Sequence, residues 1–265
     1  MHKARKRFGQ NFLHDPGVID RIVRAIHPSE KDNIVEIGPG QGALSFPLLT
    51  LCQHITLIEL DRDLIPILER NLSPAGQFSM HNEDALKFDF STLKTGERKM
   101  RIVGNLPYNI STPLLFHLVD YAEDIKDMYF MLQKEVVDRI CAEPNTKSYG
   151  RLSVMLQYHC AVEKLFNVGP GAFNPAPKVE SSIVRLLPLA TKGANVNDLL
   201  MFSNVVSQCF NMRRKTIRNS LKTKLTEQQI ESVGIDPVLR PENLTLQQFA
   251  DLSNLASVIA GSGSA

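Results

Sequence analysis

The tetrapeptide Asn-Leu-Pro-Tyr at residues 105–108 follows an apolar run that predicts a β-strand. An amino group on an aromatic ring is a poor nucleophile, because its lone pair is delocalised into the ring. The Asn105 side-chain oxygen and the Leu106 main-chain carbonyl can each accept one amino hydrogen, which favours a pyramidal nitrogen. Pro107 fixes the local φ and removes a competing donor, and Tyr108 can stack on a base. The tetrapeptide therefore predicts a site that prepares an amino nitrogen for attack. The alternative is a polar turn with an exposed tyrosine.

No general base is assigned to this site. The nitrogen becomes cationic and acidic once it has attacked, so it can lose its proton afterwards. The rate would come from holding the nucleophile in line with the group that it attacks.

A cluster of glycines follows the first predicted strand. The strand ends at Ile37 and leads into Gly38-Pro39-Gly40-Gln41-Gly42, with a helix predicted from about Ala43. Glycines allow a tight turn and a close approach to a ligand, and a helix N-terminus offers unpaired amides. The pattern nearly satisfies the dinucleotide fingerprint, with Ala43 at its last position. A nicotinamide or flavin site therefore stays open, as does a turn that binds nothing.

Two acids follow the next two predicted strands. Glu59 ends the second strand about 20 residues after the glycines, where a carboxylate can accept hydrogen bonds from ribose hydroxyls. Asp84 follows the third strand, where it can accept a hydrogen bond from an adenine amino group. Each acid taken alone is equally typical of a solvated loop or a helix cap, but together they indicate a site for a nucleoside.

Strands and helices alternate through the first two thirds of the chain. This alternation predicts βαβ units and a parallel sheet, with antiparallel strands late in the series. The predicted strands are Asn33–Ile37, Ile55–Glu59, Phe78–His81, Arg101–Gly104, Met128–Leu132, Leu152–His159 and Ser182–Leu187. The predicted helices are Val18–Ile26, Leu44–Leu51, Leu64–Asn71, Pro113–Asp120 and Lys134–Cys141.

The pattern changes after Leu189. Residues 191–195 indicate a linker, helical periodicity without strand signals runs from Asn197 to about Ala260, and residues 261–265 are expected to be disordered. The predicted division is an α/β domain over residues 1–190 and a small helical domain over residues 191–265.

Longer strings of the sequence carry a family resemblance. The tetrapeptide at 105–108 resembles the Asn/Asp-Pro-Pro-Tyr/Phe signature of S-adenosylmethionine-dependent methyltransferases that act on exocyclic amino groups, with Leu at the second position. The chain as a whole resembles the ribosomal RNA adenine dimethyltransferase family, in its bacterial KsgA-type small-subunit branch. The strings that carry the resemblance are Lys6–Leu13, Val35–Gly42, Asn105–Pro113, Phe173–Ser182 and Phe210–Thr216. Met212 is a mild departure, because the family often has Gln there.

The resemblance implies a Rossmann-like, class I S-adenosylmethionine-dependent methyltransferase domain, and it implies roles for single residues. The implied cofactor-binding residues are Asn11, Leu13, Gly38, Gly40, Glu59, Asp84 and Asn105. The implied catalytic residues are Asn105, Leu106, Tyr108 and Phe173, with Phe173 on the opposite face of the target base from Tyr108. Packing of Phe173 on the sheet as a loop anchor is the alternative.

The resemblance also implies the reaction product and the partner. The product is N6,N6-dimethyladenosine at two adjacent adenosines in the hairpin loop near the 3′ end of 16S rRNA, within a pre-30S particle. A second transfer to the same nitrogen is compatible with the site, because N6 keeps one hydrogen that one acceptor can orient.

Two basic segments predict where RNA phosphates bind. The first, residues 1–14, contains Lys3, Arg5, Lys6 and Arg7 and no acid. The second, residues 199–226, also lacks acids, and its cations are Arg213, Arg214, Lys215, Arg218, Lys222 and Lys224. On a single helix, Arg214, Arg218 and Lys222 would share one face. The buried side of that helix would hold Phe202, Val206, Cys209, Ile217 and Leu221. Two solvated helix faces are the alternative.

Composition places the chain among ordinary globular proteins. Its 265 residues are 43% hydrophobic and carry a net charge of +2, so the two basic segments leave an acidic remainder. No run approaches the roughly 20 apolar residues of a membrane span, and the basic N-terminus lacks the apolar region of a signal peptide. The four cysteines show no metal-ligand spacing and are expected to be reduced. We therefore expect a cytoplasmic protein without a metal, and a monomer, since no heptad pattern indicates association.

Two other functions stay open beside a small-subunit dimethyltransferase. A related class methylates 23S rRNA and shares the Asn-x-Pro-Tyr chemistry, although its glycine loop and C-terminal segment look different. The protein could also serve chiefly as an RNA-binding checkpoint in subunit assembly, with methylation secondary. The nicotinamide hypothesis becomes remote, because no hydride-transfer acid/base pair is present and the turn after Gly104 would be unexplained.

Overall fold

The structure is a computed structural model that describes residues 10–211 and 214–262. Its contacts divide the chain into two units. The first comprises residues 1–137 and 162–188, and the second comprises residues 138–161 and 189–265. The division near residue 190 lies close to the predicted one, but the prediction missed that residues 138–161 belong to the second unit. The reason is aromatic packing within that unit, where Tyr158 contacts Phe202 and Tyr149 contacts Phe210.

The first unit is built on a seven-stranded sheet. Five parallel strands alternate with helices, and the last strand of the unit runs antiparallel to its neighbour. The strands are β2 (Asn33–Ile37), β3 (His54–Ile58), β4 (Gln77–His81), β5 (Met100–Asn105), β6 (Ile125–Gln133), β7 (Cys160–Val168) and β9 (Ser181–Pro188). Their order across the sheet is β4-β3-β2-β5-β6-β9-β7. Because the order reverses at β2, a crevice is expected at the carboxyl ends of β2 and β5.

A two-stranded ribbon accompanies the sheet. It pairs β1 (Phe12–Leu13) with β8 (Phe173–Asn174) in antiparallel register. The sequence predicted neither strand, because two-residue strands leave no periodic pattern.

The helices of the first unit follow the predicted pattern. They are α1 (Pro16–Ile26), α2 (Ser45–Leu51), α3 (Ile65–Leu72), α4 (Ser111–Val119) and α5 (Lys134–Ile140), and α5 continues into the second unit. The start of α1 shows why the ends are well defined. Asp15 caps it by accepting a hydrogen bond from the Val18 amide at 2.9 Å, and Pro16 occupies its first turn.

A buried ion cluster ties β5 to β6 at the amino ends of these strands. Arg101 donates to both oxygens of Asp127 at 2.8 and 2.9 Å and to Asp32 at 2.8 Å. The Arg101 guanidinium also donates to the main-chain carbonyl of Ile26 at 2.6 Å. Burial alone would raise the pKa of Asp32, but the bond to Arg101 and the nearby Lys126 lower it overall. Because the cluster lies at the amino ends of β5 and β6, the carboxyl ends of these strands remain available to form the site.

One predicted strand is wrong. Residues 152–159 lie in the helix α6 (Arg151–His159) and not in a strand, and the strand β7 that follows was not predicted. Val154, Met155, Leu156 and Tyr158 are all buried, so the helix is apolar on most sides and its periodicity is masked. A short apolar run of this kind cannot be distinguished from a buried strand by pattern alone.

The second unit is helical as predicted after residue 198. Besides α6, its helices are α7 (Leu199–Phe210), α8 (Ile217–Leu221), α9 (Glu227–Ser232) and α10 (Leu246–Ser262). Gly261 and Ser262 belong to α10, which corrects the expectation of disorder at these two positions. Residues 263–265 lie outside the described residues.

The single basic helix expected over residues 199–226 is also wrong. The chain leaves helical geometry between α7 and α8, where Thr216 is extended. The amides that begin α8 bond instead to other carbonyls, Ile217 to Leu239 at 2.8 Å and Arg218 to Pro237 at 3.1 Å. The predicted buried side is confirmed: Phe202, Val206, Cys209, Ile217 and Leu221 are all fully buried.

Three of the four cysteines, Cys52, Cys160 and Cys209, are free thiols and are buried. Burial raises the pKa of Cys160 and Cys209 to about 12. These two thiols are therefore poor nucleophiles and act as core residues. No helix of the described residues has the length and hydropathy needed to cross a membrane.

Candidate active site

The glycine turn after β2 forms one wall of the site. Gly38, Gly40 and Gly42 all have positive φ, and the Gly38 amide bonds to the Ile58 carbonyl at 2.9 Å, which continues the sheet. Gly40 has a second constraint, because a Cβ there would lie 3.1 Å from the ring of Phe12. A side chain at Gly40 would therefore be strained by its backbone and crowded by β1.

Glu59 lies directly after β3 and faces the same turn. Its carboxylate accepts a hydrogen bond from the Gly40 amide at 3.2 Å and another from the Asp61 amide at 2.8 Å. Burial raises the pKa of Glu59, although these two bonds oppose the rise. The carboxylate is thus held in one position and still has acceptor capacity for a ligand hydroxyl.

Gly104 brings the end of β5 against the end of β2. A Cβ at Gly104 would lie 2.6 Å from the Ile37 carbonyl oxygen and 3.0 Å from a Leu106 methyl. No side chain fits there without moving main chain. As a result the next residue, Asn105, lies beside the glycine turn: its carbonyl is 4.0 Å from the point where a Gly38 Cβ would be.

The turn after β5 is fixed by hydrogen bonds on both sides. The Leu106 amide bonds to the Met131 carbonyl of β6 at 3.2 Å, and the Ile110 amide bonds to the Pro107 carbonyl at 3.2 Å. The half-buried Tyr108 is held at its hydroxyl, which lies 3.1 Å from the Ser181 Oγ. The residues predicted to orient an amino nitrogen are therefore held by the sheet itself.

The N-terminal segment closes the site from another direction. The side-chain Nδ2 of Asn105 donates to the Asn11 main-chain carbonyl at 3.0 Å. Gln10 donates to the Asp61 carboxylate at 3.0 Å, and β1 continues from there into the ribbon with β8. Two asparagines 94 residues apart in the sequence thus meet at the end of β5.

These walls enclose a cavity of about 340 Å³, the size of a small-molecule site. Its described lining contains four acids, Glu36, Glu59, Glu83 and Asp84, and no lysine, arginine or histidine. Such a cavity favours a cation and disfavours the pyrophosphate of a dinucleotide. Across residues 10–211 and 214–262, no group of three or more His, Cys, Asp or Glu side chains could hold a metal ion.

Comparisons with known proteins agree with this geometry. A family model described as ribosomal RNA adenine dimethylase matches residues 1–260. The ribosomal RNA small subunit methyltransferase A of Pseudomonas aeruginosa is 56% identical over 260 residues, which cover 98% of this chain and 97% of the relative. The chain belongs to the ribosomal RNA adenine dimethylase family. The expected enzyme class, an S-adenosylmethionine-dependent rRNA methyltransferase, is confirmed by this membership.

Two solved structures share the fold of this dimethylase. A dimethyladenosine transferase from Plasmodium falciparum has a TM-score of 0.76 and 26% identity, covering 91% of this chain and 95% of that one. The 23S rRNA methyltransferase ErmE has a TM-score of 0.72 and 25% identity, covering 93% of this chain and 100% of that one. The α/β, Rossmann-like class I methyltransferase fold is confirmed.

Nearly all residues expected at the dimethylase site line the cavity. They are Asn11, Leu13, Gly38, Gly40, Glu59, Asp84, Asn105, Leu106 and Tyr108. Asp84 also has the local role that the alternative foresaw, because its Oδ1 accepts a hydrogen bond from the Leu86 amide at 3.0 Å.

Phe173 is the exception, because it lies outside the cavity lining, and its expected place on the target base stays a prediction. Its side chain is 4% exposed and packs in the core, outside the cavity lining. Phe173 is packed in this way because it belongs to strand β8, where it pairs with Leu13 of β1, and not to an irregular loop. The packed position of Phe173 is the one that its alternative interpretation described.

Sequence reasoning missed Glu36, which is 2% exposed and lines the cavity. Burial raises the pKa of Glu36 to about 7, a hydrogen bond of 2.5 Å from the Ser45 hydroxyl opposes the rise, and the charge of Glu59 adds to it. A signal was present, since Glu36 is the one charged residue in an apolar strand. Gln10 and Phe12 also line the cavity and were not singled out.

The predicted RNA-binding residues are only partly described. Lys3, Arg5, Lys6, Arg7 and Arg213 lie outside the described residues. Arg214, Lys215 and Lys222 are exposed, and Arg218 pairs with Glu227 at 3.2 Å. Arg214 lies in a turn and not in a helix. The predicted helix face shared by Arg214, Arg218 and Lys222 therefore does not form.

Replacement of Gly104 by Ala tests the contact on which the site is built. We expect Gly104→Ala to lower the free energy of unfolding by about 1–3 kcal/mol through overpacking. It should also weaken S-adenosylmethionine binding, because β2 and β5 must separate at the cavity. Denaturant unfolding and calorimetry measure the two effects.

Gly169→Ala is the matched control, because a Cβ at Gly169 would have no heavy atom within 4 Å and its φ is −73°. We expect a change in unfolding free energy within about 0.5 kcal/mol for this control. Equal effects of the two substitutions on stability and binding would contradict the role of Gly104.

Proposed function

We propose that the protein transfers methyl groups from S-adenosylmethionine to N6 of two adjacent adenosines in the 3′-terminal hairpin loop of 16S rRNA, within the pre-30S particle. The products are N6,N6-dimethyladenosines, and the step belongs to small-subunit biogenesis. The observation that carries the proposal is the acidic cavity bounded by Asn105, Leu106 and Tyr108. The name of the curated Pseudomonas relative supports the small subunit as substrate.

The cavity suits each part of the proposed cofactor. Glu59 would accept from the ribose hydroxyls, Asp84 would accept from the adenine amino group, and the turn at Gly38 and Gly40 would hold the methionine end. The sulfonium and ammonium charges of the cofactor are positive, so the acids that line the cavity stabilise it. The proposed transfer requires no metal ion, because the sulfonium itself activates the methyl group.

The transfer itself needs an oriented nitrogen. The Asn105 Oδ1 and the Leu106 carbonyl each accept one N6 hydrogen, and Tyr108 stacks on the base. N6 then attacks the methyl carbon, the carbon–sulfur bond breaks with its electron pair going to sulfur, and S-adenosylhomocysteine leaves. The cationic nitrogen loses a proton to water. In the second transfer the remaining N6 hydrogen is oriented by one of the two acceptors.

The target adenine must leave its stack to reach the cavity, which costs less in a hairpin loop than in a duplex. Exposed cations at Arg214, Lys215 and Lys222, together with Arg218 and the basic residues of segments 1–14 and 212–213, supply phosphate contacts. We place the enzyme in the cytoplasm, where pre-30S particles assemble, and expect it to act as a monomer.

The deciding experiment offers labelled S-adenosylmethionine and three substrates: unmodified 30S particles, naked 16S rRNA and 50S particles. We expect label in 30S particles at two adjacent adenosines, with two methyl groups on each, mapped by mass spectrometry of nuclease fragments. Label only in 50S particles would contradict the small-subunit proposal and favour an enzyme that methylates 23S rRNA. Absence of label, with binding to 30S particles retained, would favour the assembly-checkpoint function.

The basic cluster of the second unit gives a separate prediction. Arg214→Glu combined with Lys222→Glu should weaken 30S binding and reduce the magnitude of its salt dependence by about 1 in slope for each cation removed. Titrations at several salt concentrations measure both quantities. Arg98→Glu combined with Lys99→Glu, which reverses two exposed cations of the first unit, serves as the charge-matched control. A double variant that binds like this control would remove the cluster from the RNA contact.

A further inference from the structure

The side-chain amide of Asn105 has two ends of similar shape and opposite chemistry. Oδ1 accepts hydrogen bonds, whereas Nδ2 donates them. A half-turn about the last side-chain bond exchanges the two ends. Only one orientation serves the transfer described above, because Oδ1 must face the hydrogens of the target amino group.

The contact between Asn105 and Asn11 distinguishes the two orientations. Nδ2 of Asn105 donates to the main-chain carbonyl of Asn11 at 3.0 Å. A main-chain carbonyl can only accept, so the exchanged amide would set two acceptor oxygens against each other. The Asn11 carbonyl therefore favours the orientation in which Oδ1 is the end available to substrate.

We propose that the main-chain carbonyl of Asn11 is a positioning group that fixes the orientation of the Asn105 amide, so that this enzyme requires an amide and not a carboxylate at residue 105. This proposal rests on the role given to Asn105 in the proposed function. It assigns the N-terminal segment a part in the chemistry besides binding the cofactor.

The Asn11 carbonyl is held on both sides along the chain. Before it, Gln10 donates to Asp61, which is 1% exposed, at 3.0 Å. After it, Phe12 pairs with Asn174 in the ribbon, and the His14 amide bonds to the Ala172 carbonyl at 3.0 Å. A carbonyl held in this way can orient a side chain that would otherwise rotate.

Replacement of Asn105 by Asp distinguishes this proposal from the simpler hypothesis that residue 105 needs only an oxygen that accepts a hydrogen bond from N6. In the Asn105→Asp variant, the ionised carboxylate keeps two acceptor oxygens but has no hydrogen to donate to Asn11, so it is repelled from the productive position. When the carboxyl group of the same variant is protonated, its O–H donates to the Asn11 carbonyl and its own carbonyl oxygen faces N6. The variant should therefore gain activity as the pH falls.

Other titratable groups line the same cavity and must be separated from this effect. They are Glu36 at β2, Glu59 after β3, Glu83 and Asp84 after β4, and Tyr108 in the turn after β5. Burial raises the pKa of Glu36 to about 7, and the pKa of Glu59 is also raised. The wild-type enzyme will respond to pH through these groups, so the informative quantity is the ratio of variant to wild type at each pH.

The test measures kcat and the cofactor KM for methyl transfer to unmodified 30S particles by wild type, Asn105→Asp and Asn105→Ala, from about pH 8.5 to about pH 6. At the low end we expect kcat of the Asp variant to be reduced about 100-fold, because only about 1% of an ordinary Asp carboxyl is protonated near pH 6, without a rise in cofactor KM, since a carboxylate attracts the sulfonium. Its ratio to wild type should rise by about tenfold per pH unit as the pH falls, following the protonated fraction. The ratio for the Ala variant, which has nothing to titrate at residue 105, should stay constant.

A second variant keeps the test decisive if the Asp variant is unfolded. Gln10→Ala leaves Asn105 in place but frees the segment before the Asn11 carbonyl. We expect its kcat at saturating cofactor to fall about fivefold, the equivalent of one hydrogen bond, with its thermal midpoint close to that of wild type.

Three results would overturn the proposal: a pH-independent Asp ratio, wild-type kcat for Asn105→Asp at high pH, or an unchanged kcat for Gln10→Ala. Wild-type enzyme that transfers no methyl to 30S particles would instead overturn the proposed function, and the orientation proposal with it. An active wild type with any of the three results above separates the two failures.

Discussion

The close approach of β2 and β5 at Gly104 is the constraint on which the site depends. The missing side chain lets the Ile37 carbonyl come within 2.6 Å of the position that a Cβ would occupy. This contact puts the Asn105 turn, which we propose orients the nucleophile, beside the Gly38 turn, which we propose faces the methyl donor. In-line transfer requires the two reactants to be held within a few tenths of an ångström, and parallel strands joined by main-chain bonds provide that rigidity.

The electrostatics of the cavity complement this geometry. Four acids surround a space with no described cation in its lining, so a sulfonium is stabilised where a pyrophosphate would be repelled. The charges are themselves held by the main chain, because Glu59 accepts from the Gly40 and Asp61 amides. A preorganised acidic wall costs little reorganisation during the transfer. The predicted RNA-binding residues that the structure describes are absent from this lining, so we propose that cofactor and RNA meet surfaces of opposite charge within one nearly neutral chain.

Much of this arrangement could be predicted from local sequence. The parallel strands appear as apolar runs that end at Gly38, Glu59 and Asn105, and the residues after each run line the cavity. The predictions that failed depend on packing between segments that are far apart in the sequence. The helix at 151–159 is buried on most sides and so hides its period, and the pairing of Phe173 with Leu13 has no signal in either segment. The bond from Asn105 to Asn11 joins residues that only the folded sheet brings together.

The central claim is that two fixed acceptors, the Asn105 Oδ1 and the Leu106 carbonyl, make the amino nitrogen reactive. Single-turnover methyl transfer by Asn105→Ala on 30S particles at saturating cofactor tests this claim most directly, with cofactor and particle binding measured alongside. The account predicts a loss of about 100-fold or more in the transfer rate, while binding of cofactor and particle survives at least in part. Transfer at the wild-type rate would contradict it.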